Sequence, residues 1–329
     1  MKLVRRVILF ISLSVIIFSL TSRSDLPEFS PMQEEEKNFF TGLKGENNQI
    51  LVVKIDDTNA AHPQIGVESA DVVYVEQVEA GLTRLAAIYT SKLPPLIGPI
   101  RSARISDIEL LAQFGRVGFA YSGAQSKMRP VIAAANLENL SAERNPPSIY
   151  GKDPNRPGPV DMILKPDLLL ERANSNPKIR IDTATASVFP FGDAPKGETN
   201  TAIAKVKWPS AKYELRWDSA SKKWLIYFNE KPNKAANGEQ LYADTAIIQI
   251  VSITPSIYGD KFGEVTPFSK TTGSGKAVML RDGFSYQISW QRNSETDVTT
   301  WISEDGDVAN FKPGRTWIFL TDEAPVLTP

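Results

Sequence analysis

Three arginines lie near one turn and one helix start: Arg84, and then Arg101 and Arg104 within Gly98-Pro99-Ile100-Arg101-Ser102-Ala103-Arg104. Guanidinium groups bind phosphate or carboxylate through paired, parallel hydrogen bonds. The block follows a Pro-rich loop and opens a stretch with apolar residues at helical spacing, so Ser102 reads as an N-cap. The unpaired N–H groups and dipole of a first helical turn favour an anion at the same place. Arg84, Arg101, Ser102 and Arg104 are therefore the candidate ligand-binding set. A competing reading is internal pairing of these arginines with Asp107, Glu109 or the acidic residues of the preceding strand.

The carboxylates Asp57, Glu76 and Glu79 are the candidates for acid–base chemistry. Hydrolysis of a glycosidic bond needs two carboxyl groups about 5–10 Å apart in a cleft. Glu76 and Glu79 are three positions apart and would face opposite sides of a regular strand. Glu79 and Arg84 flank an expected turn and are expected to meet across it as a hairpin ion pair. Asp56 and Asp57 end a strand, where they read equally as a cation site or as turn caps.

Composition removes most other chemistries. There is no cysteine, which excludes disulfides, thiolate metal sites and cysteine nucleophiles. A single histidine, His62, excludes a multi-histidine zinc site and leaves a Ser-His-Asp triad only that one residue to use. No metal and no cofactor is expected. The net charge of −1 gives no electrostatic footprint for nucleic acid. Trp290, Arg292, Trp301, Arg315 and Trp317 form an aromatic and basic set that reads either as a sugar-stacking surface or as core tryptophans with snorkelling arginines. Their place within strand patterns favours the core.

Around these residues, the pattern predicts strands at residues 50–55, 71–78 and 83–90, with Glu79-Ala80-Gly81-Leu82 as the turn between the last two. Helices are expected at 102–114, 128–137 and 166–173, and a strand at 117–121. Residues 48–195 thus form an α/β or α+β domain. After a Pro/Gly/polar break at 195–200, short strands separated by Asp282-Gly283, Asp305-Gly306 and Pro313-Gly314 turns predict a second domain over 200–325, β-rich and mainly antiparallel. The fold class is α+β or α/β.

At the N-terminus, Lys2, Arg5 and Arg6 precede a nearly continuous apolar run over 7–20. Basic residues stay on the cytoplasmic side and the apolar run enters the bilayer, so the remainder is expected outside the cytoplasm. A run of about 14 residues is short of the ~20 that span comfortably, and residues 1–22 read as a signal peptide or a signal anchor. Residues 23–47, polar and acidic, read as a linker.

Gln64-Ile65-Gly66, Ala70-Asp71-Val72-Val73-Tyr74, Glu79-Ala80-Gly81-Leu82-Thr83-Arg84 and the 98–104 block resemble the YerB-like lipoprotein family, a two-part bacterial domain of unknown function. Gly273-Ser274-Gly275-Lys276-Ala277, Arg281-Asp282-Gly283, Trp290 and Pro313-Gly314-Arg315-Thr316-Trp317 resemble its C-terminal part. The resemblance runs from about residue 50 to 320 and implies a bacterial envelope protein, with an α/β part followed by a β-rich part. It supplies no reaction. Members of the family often carry a lipid-modified cysteine, absent here, and tend to have Pro-His-Asn in the loop matching Pro159-Val160-Asp161.

Together these readings predict an extracytoplasmic, membrane-targeted envelope protein, membrane-anchored or secreted. Its expected work is binding or scaffolding of an acidic glycan or phosphorylated polymer at an arginine-lined site. The alternative is a carboxylate-dependent hydrolase of cell-wall polysaccharide.

Overall fold

The computed structural model describes residues 36–185, 188–260 and 263–329. The leader at 1–22 and the linker up to residue 35 lie outside the described residues. Among the described residues, no helix is long and apolar enough to cross a membrane.

Strands dominate, and the two halves of the chain build one large sheet together. Its N-terminal strands are β1 (Leu51–Asp56), β2 (Val72–Gln77), β3 (Thr83–Tyr89), β4 (Val117–Ala120) and β5 (Leu137–Asn139). Across the sheet the order is Thr300–Ser303, Phe284–Arg292, Gly273–Arg281, Thr245–Ile250, Thr316–Thr321, β2, β3, β1, β4 and β5, and Thr199–Asn200 adds to Phe284–Arg292 as an eleventh strand. The sheet is mixed. Thr316–Thr321 runs parallel to both β2 and Thr245–Ile250, and β1, β4 and β5 are parallel to one another.

β1, β2 and β3 are buried almost throughout, which explains their continuous apolar runs. Alternate side chains enter two different cores. Leu51, Val53, Ile55, Val73 and Val75 pack with Trp208, Tyr213, Leu215 and Trp224 of a second, six-stranded sheet built largely on Ile203–Trp208, Ala211–Asp218 and Lys223–Phe228. Val52, Val72, Tyr74, Ala86 and Ile88 pack instead against Leu110 and Leu111 of α1 (Ile105–Ala112) and Ile132 of α2 (Arg129–Ala134). A third helix, α3 (Pro166–Asn174), lies beyond the short Tyr150–Lys152 and Met162–Leu164 ribbon. A separate hairpin, Ser252–Gly259 with Val265–Lys270, docks on α1: the Ser269 N–H donates to Ser106 Oγ at 2.9 Å.

Several expectations are corrected. The helix expected over 102–114 begins only at Ile105. The helix expected over 128–137 stops at Ala134, because Leu137 joins a strand beside β4. The strand Ile203–Trp208 was not anticipated, although its alternation of buried Ala204, Val206 and Trp208 with exposed Lys205 and Lys207 is legible once sought. Residues 36–47, expected within the linker, fold onto the body: Phe40 is buried between Phe114 and Phe189, and Asn38 donates to the Thr90 hydroxyl at 3.0 Å.

Candidate functional site

Strand periodicity places the site. Lys54 and Asp56 on β1, Glu76 on β2 and Arg84 on β3 share the side of the sheet that faces α1, in step with Val52, Tyr74 and Ala86. The register sets Arg84 opposite Asp56 on one side and Glu76 on the other. The segment entering α1 adds Arg101 and Arg104, and the first helical turn adds Asp107.

Four cations and four carboxylates meet here. The Lys54 ammonium donates to Asp107 Oδ1 at 2.7 Å and to Glu76 Oε1, and all three side chains are fully buried. Arg101 Nε lies 2.8 Å from Asp56 Oδ2. Arg104 Nε lies 2.7 and 2.8 Å from the two oxygens of Glu79, and the Thr266 hydroxyl of the docked hairpin also donates to Glu79. Arg84 differs from the rest. It is 7% exposed, donates from Nη1 to the Ser102 carbonyl at 2.7 Å, and has no carboxylate within ion-pair distance among the described residues.

This arrangement shifts several protonation equilibria. Burial, reinforced by the neighbouring Asp107 carboxylate and opposed by Lys54, pushes Glu76 up to about 7. Its second oxygen, Oε2, has no hydrogen-bond partner. Burial, followed by the like charges of Arg104 and Arg101, brings Arg84 down to about 9. Burial alone would raise Glu79, but the hydrogen bond and charge of Arg104 outweigh it and hold the carboxyl below its ordinary value.

The structure brings Arg84, Arg101, Ser102 and Arg104 together, with two changes of role. Ser102 is not the N-cap. Arg104 occupies that position, and its backbone N–H donates to Asp107 Oδ2 at 2.6 Å. The helix start thus already holds its own carboxylate, so the expected anion-attracting field of a free N-terminus is largely spent on Asp107. Ser102 contributes its carbonyl to Arg84, and its hydroxyl lies 3.2 Å from that of Ser122. The hairpin pair expected between Glu79 and Arg84 is absent. Glu79 sits in the turn Glu79–Gly81, beyond the end of β2, and from there reaches Arg104.

The three candidate carboxylates do not form a catalytic pair. Asp57 points to the opposite side of the sheet, where it accepts from His62 Nε2 at 3.1 Å, Gln64 Nε2 at 3.0 Å, the Thr83 hydroxyl at 2.5 Å and the Tyr213 hydroxyl at 2.8 Å. His62 stacks on Phe228 with ring centroids 4.3 Å apart, and its Nδ1 lies 3.1 Å from Asn233 Oδ1. Asp57 and His62 thus join the two halves of the chain. Glu76 is sealed from substrate, and Glu79 is committed to Arg104 and Thr266.

Trp290, Trp301 and Trp317 are core residues, as strand periodicity favoured. Arg292 is buried with them and donates to the Glu109 carbonyl at 2.6 Å, while Arg315 pairs with Glu239 and covers the Tyr242 ring. Asp161, where the family pattern has histidine nearby, pairs with Lys152 at 2.9 Å. A surface cleft of 660 Å³ at the end of α3, lined among others by Arg144, Arg172 and Lys178, shares no residue with the arginine cluster.

Sequence reasoning missed Lys54 and Thr266, and it named Asp56 and Asp107 without placing Asp56 on Arg101 or Asp107 on Lys54. Lys54 carried a usable signal: a lysine inside Leu51-Val52-Val53-Lys54-Ile55, a run otherwise buried on both sides, must find a buried partner.

The chain matches both parts of one family model described as "Protein of unknown function (DUF3048)": the N-terminal domain over residues 40–180 and the C-terminal domain over residues 204–318. It is 32% identical over 327 residues to "Putative lipoprotein YerB" of Bacillus subtilis (strain 168), covering 95% of this chain and 94% of that protein. It also superimposes on the crystal structure of YerB from Bacillus subtilis with a TM-score of 0.73 and 20% identity, over 90% of this chain and 100% of that one. With both family domains present in order and a relative matched over nearly its whole length, the chain belongs to the DUF3048 family, and the likeness to the YerB-like proteins holds from residue 40 to the end of the second domain.

Proposed function

We propose that this is a membrane-tethered, extracytoplasmic protein of the cell envelope that binds an anionic envelope polymer, an acidic glycan or a phosphorylated one, through Arg84, Arg101 and Arg104. The observation that carries this reading is the condition of Arg84. A buried guanidinium offers five donors and is costly to bury unless they are met. Here one is met by the Ser102 carbonyl, and two further arginines press on the same group. An oxyanion between the three arginines would supply the missing acceptors and relieve their mutual repulsion.

The tether rests on the basic-then-apolar N-terminus, supported by the relative's description as a lipoprotein. This chain has no cysteine to carry a lipid, so the tether would be the apolar segment 7–20 itself, left uncleaved. No observation favours the hydrolase reading, because its carboxylates lie in separate internal networks.

The test is isothermal titration of the purified chain with short poly(glycerol phosphate) and with oligogalacturonate, alongside the Arg101→Ala/Arg104→Ala double variant. Binding by the parent chain, and its loss in a folded double variant, is the expected result. Equal binding by both proteins, or unfolding of the double variant, overturns the pocket.

A further inference from the structure

The charge arrangement beneath the arginines has a further consequence, which rests on the anion-binding reading above. One ammonium, Lys54, serves two fully buried carboxylates, Glu76 and Asp107. Lys54 cannot neutralise both, and Glu76 Oε2 has no donor to accept from. A carboxyl oxygen in that situation is better accommodated carrying a hydrogen than carrying charge. Glu76 also stands opposite Arg84 across β2 and β3, so Arg84 adds to the larger stabilisation that Lys54 gives the ionised form of Glu76.

The groups facing Glu76 are Lys54 and Asp56 from β1, Arg84 from β3 and Asp107 from α1, with Arg101, Arg104 and Glu79 at the rim. The neighbouring strand Thr316–Thr321 carries no charged residue. The docked strand Val265–Lys270 presents the uncharged Thr266 and Ser269 to Glu79 and α1, and its Lys270 is exposed.

We propose that the arginine site takes a singly charged oxyanion together with one proton, and that the proton lands on Glu76. An anion seated on Arg84 cancels that arginine's share of the field favouring ionised Glu76 and adds its own negative charge nearby, so binding draws a proton from solvent onto Oε2. With Glu76 neutral, the four cations exceed the remaining three carboxylates by one charge, which matches a phosphodiester or a single carboxylate. A phosphate monoester, with two charges, would leave the cluster negative.

The experiment is titration calorimetry of the full-length chain with poly(glycerol phosphate), and separately with oligogalacturonate, between pH 6 and 8. Each pH is run in two buffers of different ionisation enthalpy. Burial pushes the Glu76 carboxyl up to about 7, so affinity should fall from pH 6 to pH 8, by up to about tenfold, and the buffer comparison should show net proton uptake at pH 7, up to about half a proton per site. Arg84 keeps its proton over this range. Glu76→Gln, which carries the neutral form permanently, should abolish both the pH slope and the uptake. Asp107→Asn, which frees Lys54 for Glu76 alone, should flatten the slope as well.

The polymer bound more tightly identifies the source of the oxyanion. Binding with no pH slope and no proton uptake overturns the coupling while leaving the anion site standing. A slope that persists in both variants also overturns it. No binding of either polymer overturns both readings together.

Discussion

Glu76 and Arg84 stand directly opposite one another on β2 and β3, yet no hydrogen bond joins them: Glu76 is held by Lys54, and Arg84 donates to the Ser102 carbonyl. An obvious ion pair is thus declined, and a buried cation is left with donors to spare. Proteins keep such unrelieved groups where function needs them, at some expense in stability.

Replacing Arg84 should therefore cost little. Arg84→Met removes a buried charge that has no carboxylate partner and fills the space with an apolar chain. Stability to urea should be unchanged or rise by about 1–2 kcal/mol, as when unfavourable buried charges give way to hydrocarbon. Binding of the anionic polymer should disappear in the same variant. A large drop in the urea midpoint would show that Arg84 is structural.

The pH dependence of stability follows from Glu76. Its carboxyl is raised in the folded chain, so the folded protein binds a proton that the unfolded chain has already released. That contribution is complete below about 4.5 and is lost as pH rises to about 7. Relative to Glu76→Gln, the parent protein should lose on the order of 1–3 kcal/mol between pH 4.5 and 7.5, measured by urea unfolding at a series of pH values. Parallel curves for the two proteins would refute the assignment.

Asp57 should behave in the opposite way to Arg84. Four side-chain donors from both halves converge on it, so Asp57→Ala strands buried polar groups on Gln64, Thr83 and Tyr213. A loss of about 3–5 kcal/mol is expected by thermal or urea unfolding, with polymer binding by the residual folded protein intact.

Gly81 tests the turn that carries Glu79. Its φ is +68°, and an added Cβ would lie 2.5 Å from Pro209 Cβ. Gly81→Ala should destabilise by about 1–3 kcal/mol and, by displacing Glu79 from Arg104, weaken binding further than its stability loss explains. Circular dichroism melting combined with calorimetry separates the two effects.

Local patterns were legible where neighbours in sequence are neighbours in space. The β2–β3 hairpin and its Glu79–Gly81 turn follow from alternation and a glycine at positive φ, and the arginines of the 98–104 block do gather at one place. The start of α1 was misplaced because Ser102 has the right chemistry for a cap but spends its carbonyl on Arg84, leaving Arg104 and Asp107 to close the helix. Lys54 and Asp56 come to the site from β1 through sheet register, which no short window around the arginine block contains. The parallel alignment of Thr316–Thr321 with β2 was likewise invisible, since it joins the two ends of the chain.

That last strand sets a rule for anyone cutting the gene. Thr316–Thr321 is wedged between β2 and Thr245–Ile250, with apolar side chains on both its faces. Expressing residues up to the Pro195–Asn200 break alone would leave β2 with a bare, greasy edge, and expressing the remainder alone would bare the β2-facing edge of Thr316–Thr321. Unpaired edges of that kind aggregate. The two family segments are therefore inseparable partners in one cooperative unit, and deletion of either should read out in cells as absence of the whole protein.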